Sequence, residues 1–163
     1  MRPRPQVAAN DAAFSSRQEA EAFLARALPL ATRANPKYRT KSDGLETVWL
    51  TNSLQFAPSP SGGVHVAMDE TYTRLGAVGA HQAAFSLADV EVTKFTEAGD
   101  VTPSCEPALG LLFTCVAPQC VSGAWDGQAS KADKADIYIQ DPATREKILA
   151  AFLYLKGADK APT

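Results

Sequence analysis

The stretch Leu109-Gly110-Leu111-Leu112-Phe113-Thr114-Cys115 decides the fold, together with the segments C-terminal to it: a short strand at Cys120-Val121, then Ile137-Tyr138-Ile139, then Asp141 to Leu155. That last segment reads as a helix with its own signals. Asp141 suits the N-cap, Pro142 the first helical position and Gly157 the exit. Ile148, Leu149, Phe152, Leu153 and Leu155 give it a wide apolar face. Strand, cysteine-tied hairpin, strand and one closing helix predict a small β-barrel or bent sheet plugged by a helix.

Upstream of that ending the period is two. Val48 and Leu50 alternate with Trp49 and Thr51, and Leu54-Gln55-Phe56 continues the strand. The turn-rich Pro58-Ser59-Pro60-Ser61-Gly62-Gly63 then leads into Val64-His65-Val66-Ala67-Met68, which predicts a hairpin. Gly76 to Gly79 breaks the chain again. Ala83-Ala84-Phe85 and Val90 to Phe95 read as two more strands around a Ser86 to Asp89 turn, and Glu97 to Glu106 is polar and turn-rich. Strands at this density without intervening helices argue for an antiparallel sheet. The charged repeat Lys131-Ala132-Asp133-Lys134-Ala135-Asp136 has no apolar face and reads as a solvated loop.

In front of the sheet stands one more helix. Ser16-Arg17-Gln18-Glu19 has the capping-box pattern, and Ala20, Phe23, Leu24, Ala27 and Leu28 recur at helical spacing. Pro29 is expected to end or kink it, with Asn35-Pro36 in the loop beyond. The chain thus divides into a disordered tail over 1–13, a helix within 14–34, a sheet domain over 41–157 and a short tail over 158–163.

With 163 residues, 45% apolar and 21% charged, the chain suits one domain with a proper core. A net charge of -2 without a Lys/Arg cluster argues against nucleic acid as a partner, since phosphate binding needs concentrated positive charge. No apolar run approaches the roughly 20 residues of a transmembrane helix. Met1 to Gln6 lacks the apolar segment of a signal peptide. Either the protein is cytoplasmic, or Met1 stands where a signal sequence was removed. The Pro- and Ala-rich opening up to Ala13 resembles the tether behind a cleavage site and favours an exported, periplasmic protein.

Cys115 and Cys120 flank Val116-Ala117-Pro118-Gln119, and a symmetric hairpin there sets them opposite each other. Opposed residues of a non-hydrogen-bonded pair have Cα atoms about 4.5 Å apart, within disulfide reach. The alternative is two reduced cysteines used as small core residues. Cys105 reads as a free thiol near a loop, and the spacing of the three is no zinc signature.

The order helix, about seven strands, helix resembles the pleckstrin-homology-like superfold. More narrowly it is similar to a bacterial module of that fold marked by three short motifs. Here they are Phe85-Ser86-Leu87-Ala88-Asp89, the Cys115 to Cys120 hairpin, and Asp141-Pro142-Ala143-Thr144-Arg145. The resemblance implies an α+β fold, an antiparallel bent sheet or barrel of about seven strands closed by the C-terminal helix, with an additional N-terminal helix. It implies a binding role and brings no catalytic residues. Lipid-binding members hold phosphoinositides with Lys and Arg around the first hairpin. In this chain that loop, Ala57 to Gly63, has no basic residue, so phosphoinositide is not expected. Peptide-binding members add a strand at the sheet edge, a mode that uses backbone.

His65 and His81 are the only histidines. His65 with Asp69 and Glu70 would be the metal candidate, but on a strand His65 and Asp69 stand about 13 Å apart at ~3.3 Å per residue. No serine-nucleophile elbow, phosphate loop or dinucleotide motif appears, so no catalytic residue, metal or cofactor is assigned. The expected function is a non-enzymatic protein- or peptide-binding module of the bacterial cell envelope, in its narrower form an immunity-type inhibitor of a toxin. Trp49, out of phase with Val48 and Leu50, and Trp125, in a polar stretch, are the candidate contact residues. The competing reading is a small hydrolase or metal-dependent enzyme using His65 or His81; a small-molecule carrier using the barrel mouth is the third.

Overall fold

A computed structural model describes residues 14–40, 45–60, 63–101 and 106–158. In chain order the elements are α1 Arg17–Arg33, β1 Tyr38–Thr40, β2 Glu46–Pro58, β3 Val64–Arg74 and β4 Ala77–Ser86. A single 3-10 turn, Leu87–Asp89, leads into β5 Val90–Val101, β6 Pro107–Cys115, β7 Val121–Trp125, β8 Gln128–Ala132, β9 Lys134–Tyr138 and α2 Pro142–Ala158. The fold is α+β, an antiparallel sheet with a helix at each end of the chain.

The strand order is β8-β7-β4-β3-β2-β1-β5-β6-β9, nine strands rather than the seven expected. The two additional strands are β8, which takes in Lys131 and Ala132 of the repeat expected as a loop, and the three-residue β1; β9 is the strand expected at Ile137-Tyr138-Ile139, begun earlier, at Lys134. That order forces the sheet to roll. Strands β6 and β7 are joined by the short Cys115–Cys120 corner, yet they lie next to opposite edges of the sheet. The edge strands β8 and β9 are themselves linked through Asp133 alone. The two halves therefore face each other, and Phe85 of β4 meets Phe113 of β6 at 4.9 Å between ring centroids. The roll stays open, because β8 pairs with β7 and β9 with β6 while the two edges do not pair with one another.

The helix α2 plugs one end of the roll. Its start is the one read from the sequence: Asp141 accepts hydrogen bonds from the Thr144 backbone N–H (2.9 Å) and hydroxyl (2.6 Å). Ile148, Phe152 and Leu155 are buried, and Phe152 meets Phe113 edge-on at 5.0 Å. Each such side chain contributes roughly 1.5–3 kcal/mol on full burial. Leu153, expected on this face, is exposed, and Gly157 lies in the last helical turn rather than beyond it.

The helix α1 begins as expected, with Ser16 Oγ accepting from Glu19 N–H at 3.1 Å. The Glu19 carboxylate reaches Ser15, one residue upstream of a standard capping box. Pro29 does not end the helix, which runs on to Arg33. The hydrogen bond Pro29 cannot make is lost, but Leu28, Pro29 and Thr32 are all buried, and tertiary contact outweighs it. Thr32 Oγ1 accepts from Thr51 N–H at 2.9 Å and donates to Pro29 O at 3.1 Å. The β2–β3 register shifts between Thr51 and Ser53, so the exit of α1 is pinned at a β-bulge. Asn35 ties the same exit to β9, donating to Tyr138 O at 2.6 Å and accepting from Gln140 N–H at 3.1 Å.

The β2–β3 hairpin is present as read. The strands β4 and β5 also exist, but they do not pair: the Leu87–Asp89 turn is a corner that carries the chain from one half-sheet to the other. Cys115 and Cys120 form a disulfide with Cα atoms 5.6 Å apart. Cys105 and the tail over 1–13 fall outside the described residues.

Candidate functional site

Register brings the site together. Thr51, Glu70, His81 and Trp125 stand side by side across β2, β3, β4 and β7, and Trp49 and Tyr72 form the next row. Directly opposed residues project to the same face. The two tryptophans singled out in the sequence therefore meet, edge to face with centroids 6.1 Å apart. Tyr72 lies within 5.1 Å of Trp49 and 5.6 Å of Trp125. Trp125 is 44% exposed, whereas Trp49 is half-buried behind it.

The turn that presents Trp125 has a local cause. Asp126 and Gly127 take φ of 51° and 85°, the paired positive values of a tight two-residue hairpin turn, and Asp-Gly is the dipeptide that tolerates them best. Asp126 then clamps the turn to β4. Its carboxylate accepts from Ala80 N–H at 2.8 Å and from Tyr72 Oη at 2.9 Å, while its own N–H donates to Ala80 O at 2.7 Å. The Ala80 and Tyr72 hydrogen bonds hold the Asp126 carboxyl below the usual range, and the same contact raises the Tyr72 phenol. Gly79 makes room for the phenol ring, since a Cβ there would come within 2.2 Å of Tyr72 Cζ.

Behind the aromatic corner sits a glutamate–histidine pair. Glu70 is 6% exposed and its Oε1 lies 2.8 Å from His81 Nδ1. A carboxylate that deep needs a partner, and His81 is the one the described residues offer. The imidazole stacks on Trp125 with centroids 4.0 Å apart. His81 is thus no surface or edge histidine, as its glycine-containing turn would suggest, but a half-buried link between Glu70 and Trp125.

Beside this corner the open seam of the roll forms a cleft of about 290 Å³. Trp49, Glu70, His81 and Trp125 line it from one half-sheet, and Ser130, Lys131, Lys134, Asp136 and Tyr138 from β8 and β9. Asp136 keeps solvent access along one side. Protein nevertheless crowds its carboxyl closely enough to push its pKa up to about 6, with desolvation the larger cause and the Glu70 charge the second. A larger groove of about 650 Å³ crosses the outer face over Ser53, Asp69, Gln82 and Ser122, and it contains no histidine or aromatic ring.

His65 does not join the site. Along β3 the buried residues are Val64, Val66, Met68 and Glu70, so His65 and Asp69 project to the opposite face from Glu70. Among the described residues no group of three or more His, Cys, Asp or Glu could hold a metal ion. No helix among them is long and apolar enough to cross a membrane.

The Glu70–His81 pair and the Asp136 seam are absent from the sequence reading. A usable signal exists for the first. A tight turn at Leu75–Gly76 sets Arg74 against Ala77, and the same count outward sets Glu70 against His81. Asp126-Gly127 likewise marks the β7–β8 hairpin. Nothing local signals that β9 comes beside β8.

Comparison with protein-family models, with curated proteins and with solved structures finds no match.

Proposed function

We propose that the chain is a protein- or peptide-binding module built on a pleckstrin-homology-like fold, acting in the bacterial cell envelope. The observation that carries this reading is Trp125: a large aromatic side chain, 44% exposed, held on a clamped turn and backed by Trp49, Tyr72 and His81. A rigid, partly exposed indole loses little entropy on contact and supplies the kind of anchor that dominates protein interfaces. The outer edges of β8 and β9, which no other described strand pairs, flank the same cleft and offer backbone for an added strand. The helix that plugs one end of a rolled antiparallel sheet supports the fold assignment. The Cys115–Cys120 disulfide supports an oxidising compartment, and an immunity-type inhibitor is the narrower form of the proposal.

The test is capture of a partner from separated envelope and cytosolic fractions of the source cell, followed by a titration with the purified partner. Saturable one-to-one binding to an envelope protein is the expected result. Absence of any stoichiometric partner in both fractions would remove the reading.

The Glu70–His81 contact favours a second reading, a hydrolase in which His81 acts as general base oriented by Glu70. Screening ester, amide and phosphoester substrates with the wild type and His81→Gln tests it. Turnover lost in the variant would support it, and no turnover by the wild type would exclude it for those classes.

A further inference from the structure

The seam cleft contains a charge pattern that an aromatic contact patch does not require. Glu70 uses one carboxylate oxygen on His81, and its second oxygen bonds to none of the described residues. The Asp136 carboxyl makes no hydrogen bond with the described residues, although Glu70 is close enough to disfavour its negative charge. Lys131, Lys134 and His81 line the cleft too, and none of them alone offsets Glu70 at Asp136. Lys131 Nζ donates to Ser122 Oγ at 3.2 Å, and the attraction of Lys134 for Asp136 is outweighed by Glu70. The cleft also presents indole rings from Trp49 and Trp125. A buried carboxylate and a crowded one in the same cleft as indole rings favour one ligand class, because a cation gains both from ionic pairing and from the negative faces of the rings. A metal ion would find too few ligands among the described residues.

We propose that this cleft binds the head of an organic cation, an ammonium or a guanidinium, with Asp136 and Glu70 as its counter-charges and Trp49 and Trp125 as its aromatic wall. The site deepens the protein-binding reading and rests on it only for the source of the cation, a lysine or arginine side chain of the partner. A free amine is the other source. Binding favours ionised Asp136, so affinity falls as pH drops through about 6. The charged groups that face Asp136 are Glu70 from β3, His81 from β4, Glu97 from β5, and Lys131 and Lys134 from β8 and β9.

The experiment titrates the full chain, by chemical-shift changes of the indole N–H signals, with N-acetyl-lysine methylamide, N-acetyl-arginine methylamide, choline and the neutral N-acetyl-norleucine methylamide. At least one cation should bind about tenfold more tightly than the neutral probe. Asp136→Asn, a change at an exposed side chain that leaves folding intact, should weaken that cation about tenfold, and Lys134→Met should tighten it. Affinity should fall severalfold between about pH 7.5 and about pH 5. Preference for the blocked amino acids assigns the cation to a protein partner, and preference for choline to a free amine; both support the site. Equal binding of the neutral probe, no effect of Asp136→Asn, or no saturable shift with any cation would overturn it. A captured protein partner without cation binding removes this site alone, whereas cation binding without a protein partner removes the protein-binding reading alone.

Discussion

Trp125 lies directly opposite His81 across β7 and β4, its indole 4.0 Å from the imidazole and within 30° of parallel. That relationship links an exposed contact residue to a buried acid side chain, because His81 in turn holds Glu70 at 2.8 Å. The aromatic corner and the acidic cleft are therefore one unit, and substitutions on one side of it should be felt on the other.

His81→Ala removes the hydrogen-bond partner of Glu70 and leaves a buried carboxylate alone. Breaking a buried pair in this way should destabilise the fold by about 3 kcal/mol. Glu70→Gln in the same background should recover part of the loss, since a neutral amide costs less to bury. Urea denaturation of the two single variants and the double variant reads the coupling directly. Additive losses would mean that the pair is not coupled.

Asp136 gives a pH dependence of unusual sign. Its carboxyl is raised to about 6 in the folded chain against 3.8 for the ordinary group. The folded state thus holds the proton more tightly, and the stabilisation is full below about pH 4 and is lost as pH rises through about 6. Asp126 and Asp141 are shifted down and act oppositely, losing their contribution as pH falls. Solvent on the open side of Asp136 screens much of its effect, so Asp136→Asn should stabilise the protein at neutral pH by only about 1 kcal/mol. Thermal melts at pH 4 and pH 7.5 should show that gain at the higher pH alone. An equal change at both would contradict the assignment.

Gly79→Ala places a methyl where the Tyr72 ring lies, with Cζ only 2.2 Å from the new Cβ. The ring must move, which breaks its bond to Asp126 and its contact with Trp49. A cost of about 1–3 kcal/mol is expected, as for other overpacked sites. Near-ultraviolet circular dichroism should change as the two tryptophans lose their fixed neighbour. An unchanged spectrum with unchanged stability would show that the corner is less tightly packed than described.

Replacing Cys115 and Cys120 by serine should cost about 2 kcal/mol on the chain-entropy estimate for so short a loop. The corner they close also holds the β8–β9 link, through Cys115 N–H to Asp133 O at 2.9 Å and Gln119 N–H to the Asp133 carboxylate at 2.7 Å. Hydrogen exchange in the double serine variant should therefore speed up along β8 and β9 as well as at the corner. Faster exchange confined to residues 115–120 would separate the disulfide from the seam.

The parts of the fold legible in the sequence are those with local causes. Asp141 announces α2 because a cap acts within one turn, and the β2–β3 hairpin comes from alternation and a turn. Pro29 misleads because its cost is local while the burial of Leu28 and Thr32 that offsets it is tertiary. The strand β8 and the start of β9 read as a loop because Gln128-Ala129-Ser130-Lys131-Ala132 has no β-branched or large apolar residue and Lys134-Ala135-Asp136 offers only Ala135, whereas the end of β9 is legible at Ile137 and Tyr138. Trp49 and Trp125 both stand out as contact residues, yet their meeting depends on the β4–β7 register, which no local pattern encodes.

The most direct measurement is the affinity of the captured partner for the wild type and for Trp125→Ala, with circular dichroism and melting temperature recorded on both. Trp125 is nearly half exposed, so truncation should leave the fold intact. A loss of at least about 2 kcal/mol in binding, roughly thirtyfold, is expected of an interface anchor. Unchanged affinity in a folded variant would contradict the proposal that this aromatic corner is the binding surface.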